Sequence, residues 1–224
     1  MGKDFRLRIG SPKEDLGINP TKENIVSVLQ KLAEQVSDFE NYYFLSGYLF
    51  DALCHKYAKD LSYKWYVFAL NAMTYRMEVI CAKLLGTYKK DVSFYNLLRF
   101  ICQKQNYDEF VTKEHKSVFC SIIDSFNNKV LPVFKDIKDR RNKLNVHNDM
   151  VYMLDQEELR RLAEMTTKIY LDALHFLKTG VERLYGFYAD EPIFNNDDSN
   201  EMICNCLSQM MRFVELLNNE GDLD

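Results

Sequence analysis

The sequence predicts an all-α protein: an up-and-down helical bundle with additional helices at its N- and C-terminal ends. Three observations predict this class. Apolar residues recur at intervals of three or four over most of the chain, which is the period of a helix packed on one side. Glycine and proline, which punctuate loops, number only 8 and 4 among 224 residues. Runs of alternating polar and apolar residues, typical of half-buried strands, are few.

The pattern divides the chain into three parts. Residues 1–37 are expected to form an irregular lead-in and a first helix, which Thr21 caps and which ends near Val36. Residues 38–188 are expected to form the bundle, whose first helix restarts at Ser37-Asp38. Residues 189–224 are expected to comprise an acidic linker, a C-terminal helix and a polar tail.

The bundle is expected to contain five helices, at about 38–59, 61–85, 93–103, 113 to the basic stretch described below, and 155–188. The second is apolar nearly all round, so we expect it to be central, with Gly86 as its stop. Pro132 is expected to kink or divide the fourth near Lys129, because proline has no N–H for the helical ladder. Asp155 and Glu158 have the spacing of a capping box and open the fifth helix.

Two features of the first two bundle helices admit more than one interpretation. Arg76 and Glu78 are charges inside the second helix, where an ion pair or a solvent-facing edge is the simpler interpretation. The alternative is that Arg76 supports a phosphate site. The aromatic helix from Phe39 to Tyr57 is interpreted first as core, and alternatively as a surface on which bases stack.

Composition and charge restrict the class of protein. A formal charge of -4 and a pI near 5.7 exclude a generally basic surface for nucleic acid, so any such site must be local. Residues 135–143 supply one, with five Lys or Arg against two Asp. The six cysteines are expected to be reduced thiols, and no stretch resembles a signal peptide or a membrane span. We therefore expect a soluble cytoplasmic protein with no membrane partner.

The basic stretch ends a helix whose apolar stripe continues into it. The stripe is Phe119, Ile122, Phe126, Val130, Phe134 and Ile137. The same spacing puts Arg141 and then Leu144 on the packed side. An unpaired buried charge costs several kcal/mol, so the Arg141 guanidinium there needs a carboxylate, a phosphate or an interface partner.

The residues that follow carry a resemblance to a known family. The string Arg141-Asn142-Lys143-Leu144-Asn145-Val146-His147-Asn148-Asp149 resembles the HEPN superfamily, in particular its abortive-infection branch of AbiU type. That branch shows an Arg-polar-Lys-x-x-x-His-x-Asp string at the end of the penultimate bundle helix. The resemblance also includes residues 65–85 and 92–98, and so covers roughly residues 38–188.

The resemblance implies a metal-independent endoribonuclease, a toxin or antiviral effector that works as a twofold homodimer with both motifs facing one cleft. It implies RNA as the substrate and no cofactor, and it leaves open whether an antitoxin or regulatory partner accompanies the chain. The expected catalytic residues are Arg141 and His147, and the supporting residues are Asn142, Lys143 and Asp149. Lys138 and Arg140 fall on the other side of the helix, where a solvated face is the simpler interpretation, and they are assigned to RNA binding.

The chemistry of these side chains is compatible with that role. Cleavage of RNA through its own 2′-hydroxyl needs a base, an acid and fixed positive charge for the phosphorane. His147 can titrate near neutral pH and act as either acid or base. Arg141 offers planar bidentate donors to a phosphate. Asn142 can orient either group, and Lys143 can add positive field. One motif histidine per chain gives two per dimer, as a paired base and acid require, so the mechanism predicts a dimer.

One departure and one alternative accompany the resemblance. HEPN toxins that are silenced by nucleotidyl transfer carry a tyrosine two residues after the histidine, whereas Asp149 stands there and the nearest tyrosine is Tyr152. Control by that route is not expected, and Asp149 is assigned to capping or to orienting His147. The alternative function is a non-catalytic HEPN module that binds nucleotide, RNA or protein, with Arg141 paired across a dimer interface.

A metal protein is the third class. His147 with Asp149 gives only two ligands, and the other three histidines have no close acidic or Cys/His partner in ligand spacing. Cys204-Asn205-Cys206 lacks a second half-site, so we interpret it as structural rather than as a metal or redox pair. No metal is expected.

Overall fold

The computed structural model describes residues 21–55, 62–86, 92–140 and 166–194, and also residues 205, 208, 209 and 212. Within these ranges all regular elements are helices, which confirms the all-α class. In chain order they are α1 (Lys22–His55), α2 (Ser62–Leu84), α3 (Phe94–Ile101), α4 (Lys104–Phe110), α5 (Lys116–Ser125), a π-helical turn (Phe126–Val130), α6 (Leu131–Arg140) and α7 (Thr166–Tyr185).

Helix α1 is longer than the sequence predicted. The hydroxyl of Thr21 accepts a hydrogen bond from the backbone N–H of Asn24 at 3.3 Å, as expected for the cap. The predicted end at Val36 is wrong, because one helix continues through Ser37 and Asp38 to His55. Val36 and Phe39 are both completely buried on either side of those two polar residues. Packing of the apolar stripe therefore outweighs the tendency of Ser and Asp to start a new helix.

Helix α2 has the predicted bounds but not the predicted environment. Met77 and Ile80 are buried, whereas Phe68 is 72% exposed and Tyr75 is 42% exposed. The expectation that α2 is packed on all sides is therefore wrong, because its face that carries Phe68 is exposed. Uniform apolarity in the sequence does not reveal which faces of a helix have a neighbour.

The two charges inside α2 have opposite environments. Arg76 is exposed, as expected for a solvent-facing edge. Glu78 is completely buried, so the solvent-facing interpretation is wrong for this residue. A charged side chain that is fully buried requires partners to offset its desolvation.

Ser93 connects the end of α2 to the start of α3. Its hydroxyl accepts from the backbone N–H of Asn96 at 3.1 Å and donates to the carbonyl of Gly86 at 2.8 Å. Gly86 is itself buried, and a Cβ on it would lie 2.9 Å from the carbonyl oxygen of Ala82. The predicted stop at Gly86 and the predicted short helix after it are confirmed.

Helix α4 was not predicted, and α5 begins at Lys116 rather than near Lys113. The Asn106 side-chain amide donates to the carbonyl of Phe100 at 2.9 Å, which fixes the start of α4 against the end of α3. Such a bond between the ends of two short helices cannot be read from apolar spacing.

The segments α5, the π-helical turn and α6 form one rod, from Lys116 to Arg140. Every residue of the predicted stripe from Phe119 to Ile137 is buried, which confirms it. The irregularity predicted near Lys129 is present as the π-helical turn, in which the N–H of Leu131 donates to the carbonyl of Phe126. Pro132 cannot donate to the ladder, so a widened turn beside it is physically reasonable.

Helix α7 packs against α1, α3 and the rod. Lys178 forms an ion pair with Glu40 of α1, at 2.8 Å to both carboxylate oxygens. Gly180 faces α3, where a Cβ would lie 2.7 Å from Cζ of Phe94. Leu177 and Val181 are completely buried, so the predicted fifth bundle helix has this side in the core. The predicted start of that helix at Asp155 and most of the C-terminal segment lie outside the described residues.

Candidate functional site

The rod and α7 run antiparallel. The rings of His115 and Phe187 stack with their centroids 4.2 Å apart, and those of Phe126 and Phe176 lie 5.8 Å apart. The first pair joins the residue just before the rod to the turn just after α7. The second pair is eleven residues later in the chain on the rod and eleven residues earlier on α7. The same register brings Val133 level with Ile169, and both line the cavity described next. The first residues of α7 are therefore level with α6.

A groove of about 400 Å³ lies between the rod and α7, and we call it the rod groove. Its residues from the rod are Ser121, Ile122, Ser125, Lys129, Val130 and Val133, and its residues from α7 are Ile169, Asp172, Ala173, His175, Phe176, Thr179, Gly180 and Arg183. A volume of this size is within the range of ligand-binding clefts.

The polar groups of the rod groove stand in two rows. Ser121, Ser125 and Lys129 follow one another at intervals of four along the rod. His175, Thr179 and Arg183 do the same along α7. Residues four apart lie on one face of a helix, so each row lines one wall. The floor between the rows is apolar.

The charge in the rod groove is mainly positive. Lys129, His175 and Arg183 are exposed, and Asp172 is the carboxylate among the lining residues. Among the described residues, no carboxylate forms an ion pair with these three basic side chains. An arginine and a lysine that face a partly apolar groove are suited to binding an anion.

Two of the described cysteines, Cys81 and Cys102, are not candidates for a nucleophile. Cys81, Cys102 and Cys120 are free thiols, as predicted for these three. Burial raises the pKa of the Cys81 thiol, and the nearby Glu78 carboxylate raises it further. Burial, with a smaller effect of Cys120, raises the pKa of Cys102 to about 12. A reactive cysteine needs a lowered pKa, so Cys81 and Cys102 serve packing.

The predicted catalytic stretch overlaps the last turns of α6. Lys138 and Arg140 lie on the last turns of α6, which ends at Arg140. The five other predicted site residues, Arg141, Asn142, Lys143, His147 and Asp149, lie outside the described residues. The Arg/His site therefore stays a prediction.

The rod groove was missed by the sequence analysis, although its two polar rows are visible there. Ser121, Lys129 and Asp172 are part of no predicted site. His175 was considered as a metal ligand and set aside. Intervals of four on two separate helices indicate a common groove only when the two helices are known to be neighbours, and that is tertiary information.

Within the described ranges, no three His, Cys, Asp or Glu side chains are grouped as ligands for a metal ion. Among the helices described, none has both the length and the apolar composition needed to cross a bilayer. Comparisons with protein-family models, with curated proteins and with solved structures found no match for the chain.

Proposed function

We propose that this protein is a metal-independent endoribonuclease of a toxin or phage-defence system of the abortive-infection kind, with a HEPN-like bundle. The observation that supports the proposal is the buried stripe of the rod. Ile137 is 2% exposed, and the next position on that stripe is Arg141. A guanidinium placed on a packed face requires an anionic partner, and an RNA phosphate in a dimer cleft satisfies this requirement.

The proposed reaction is transesterification within the RNA. The 2′-hydroxyl gives its proton to one His147 imidazole, and the 2′-oxygen attacks the adjacent phosphorus. The bond from phosphorus to the 5′-oxygen breaks, and that oxygen takes a proton from a protonated His147 of the second protomer. The products are a 2′,3′-cyclic phosphate and a 5′-hydroxyl.

The remaining residues of the stretch act on charge and orientation. Arg141 stabilises the negative charge that develops on the phosphorane, and Lys143 adds to that field. Asn142 and Asp149 orient Arg141 and His147. Lys138 and Arg140, which stand on the described end of α6, bind the flanking phosphates of the RNA.

The test is cleavage of a mixed cellular RNA by the purified chain in EDTA, alongside Arg141→Ala and His147→Ala. The proposal predicts that cleavage survives the chelator and is lost in both variants while each remains a dimer by light scattering. A folded dimer that binds RNA but does not cut it would instead support the alternative, a non-catalytic HEPN binding module.

A further inference from the structure

The rod groove is elongated along the helix axes. In the antiparallel register, Arg183 is level with Phe119, and Ile169 is level with Val133. These levels are fourteen residues apart on the rod, which corresponds to roughly 21 Å at 1.5 Å per residue. A volume of about 400 Å³ spread over this length makes a narrow channel. It suits one extended chain rather than a duplex or a compact ligand.

Positive charge is spaced along this channel. Arg183 stands at one end, and Lys129 stands ten residues further along in the same register, which is roughly 15 Å away. His175 and the Asp172 carboxylate lie near the level of Lys129 on the opposite wall, so two cations, Arg183 and Lys129, stand against one carboxylate along the groove. Hydroxyl groups of Ser121 and Thr179 fall in the interval between the two cations. Spaced cations with hydroxyls between them match a polyanion that also carries hydroxyl groups.

The Val133 end of the channel leads toward the predicted catalytic stretch. Val133 precedes Arg140 by seven residues, or roughly 10 Å along α6. The sequence beyond Val133 continues the series of cations, at positions 135, 138, 140, 141 and 143. In the sequence, Lys129 is therefore followed by further basic residues as far as Lys143, with Asp136 and Asp139 among them.

We propose that the rod groove binds a single strand of RNA next to the bond that is cut. Arg183 and Lys129 contact two phosphates that are separated by at least about two nucleotides. Ser121 and Thr179 form hydrogen bonds with ribose hydroxyls. Bases lie against the apolar floor, which includes Phe176. This inference rests on the proposed function for its ligand, but it assigns a separate binding surface with residues outside the Arg/His stretch.

The test is a pair of double variants that change the net charge equally. Lys129→Glu with Arg183→Glu alters the groove, and Lys31→Glu with Lys83→Glu alters exposed lysines on α1 and α2. Both are made in the His147→Ala background, so that a labelled 12-nucleotide RNA stays intact while its fluorescence anisotropy is recorded. Circular dichroism and thermal unfolding show that each variant is folded.

The groove variant is expected to bind at least about tenfold more weakly than the control variant. The slope of log K against log salt is expected to fall by about 1.4, since each single-strand phosphate contact contributes about 0.7. Equal binding by the two double variants overturns the proposal, as does the absence of RNA binding by the His147→Ala chain. Displacement of the RNA by polyaspartate as effectively as by unlabelled RNA also overturns it, in favour of an acidic protein segment.

Failure of this inference is distinguishable from failure of the ribonuclease proposal. If the unsubstituted chain cleaves RNA and the groove variant binds RNA as tightly as the control variant, only the proposal that the rod groove binds RNA is refuted. The absence of cleavage, with RNA affinity weakened by the groove variant, refutes the enzyme and supports the groove.

Discussion

Replacement of Gly180 by alanine tests how tightly α7 packs on α3. A Cβ on Gly180 would lie 2.7 Å from Cζ and 3.2 Å from Cε1 of the Phe94 ring. That ring is completely buried and meets Phe176 edge to face at 5.6 Å, so it has little room to move. Gly47 in α1 is the matched control, because a Cβ there has no atom within 4 Å.

The expected signs of the two substitutions are opposite. Alanine is favoured over glycine inside a helix by about 0.5–1 kcal/mol, and Gly47→Ala should gain that amount. Gly180→Ala has the same gain in helix propensity, but it also overpacks the core, which typically costs about 1–3 kcal/mol. We therefore expect Gly180→Ala to lower the free energy of unfolding by about 1 kcal/mol, and the two variants to differ by about 2 kcal/mol.

Urea unfolding followed by circular dichroism measures this difference. With an m-value of about 2–3 kcal/mol/M for a chain of this size, the two midpoints should differ by about 1 M urea. In the Phe94→Leu background the smaller side chain should remove most of the penalty for Gly180→Ala. Stabilisation by Gly180→Ala equal to that by Gly47→Ala would refute the close packing described here.

Two further predictions concern Ser93, which is buried, and Cys102, which is half-buried. Ser93→Ala removes the cap of α3 and the bond to Gly86, so the free energy of unfolding should fall by about 1–2 kcal/mol in urea titrations; a loss no larger than that of exposed Ser27→Ala would contradict this. Cys102, whose pKa is raised to about 12 from 9.0, should be alkylated by iodoacetamide at pH 8 far more slowly in the folded protein than in urea, as mass spectrometry of peptides would show. The thiol loses its proton at lower pH in the unfolded chain than in the folded protein, so the free energy of unfolding should fall as pH rises from 9 to 12. Cys102→Ala should weaken that fall. Equal alkylation rates of Cys102 in the folded protein and in urea would refute its burial.

The rod shows how much of the fold could be predicted from the sequence. The stripe from Phe119 to Ile137 keeps helical spacing, and each member needs burial for the same reason, so the pattern and the packing agree. The effect of Pro132 was predicted in position but not in form, because a missing N–H can be accommodated by a kink, a break or a π-helical turn.

The misses arise where local preference and tertiary packing disagree. Ser37 and Asp38 favour helix caps, yet buried Val36 and Phe39 hold α1 together across them. The exposure of Phe68 was not predictable, because sequence patterns do not show which faces of α2 have neighbours.

The candidate sites divide in the same way. The site at Arg141 to His147 is predicted from a motif, which is local information that a sequence can carry, and it stays a prediction. The rod groove depends on the antiparallel register of two helices whose closest described residues are 26 positions apart in the chain, at Arg140 and Thr166. Its two polar rows can be recognised as walls of one groove only when that register is known.

The most direct test of the central claim uses an oligodeoxynucleotide that contains a single ribonucleotide, incubated with the purified chain in EDTA. Cleavage through a 2′-hydroxyl must occur only on the 3′ side of that ribose, and must leave a 2′,3′-cyclic phosphate and a 5′-hydroxyl. The account predicts this cut for the unsubstituted protein and its loss in Arg141→Ala and His147→Ala. Cleavage at deoxynucleotides, or an undiminished cut by the His147→Ala protein, would contradict it.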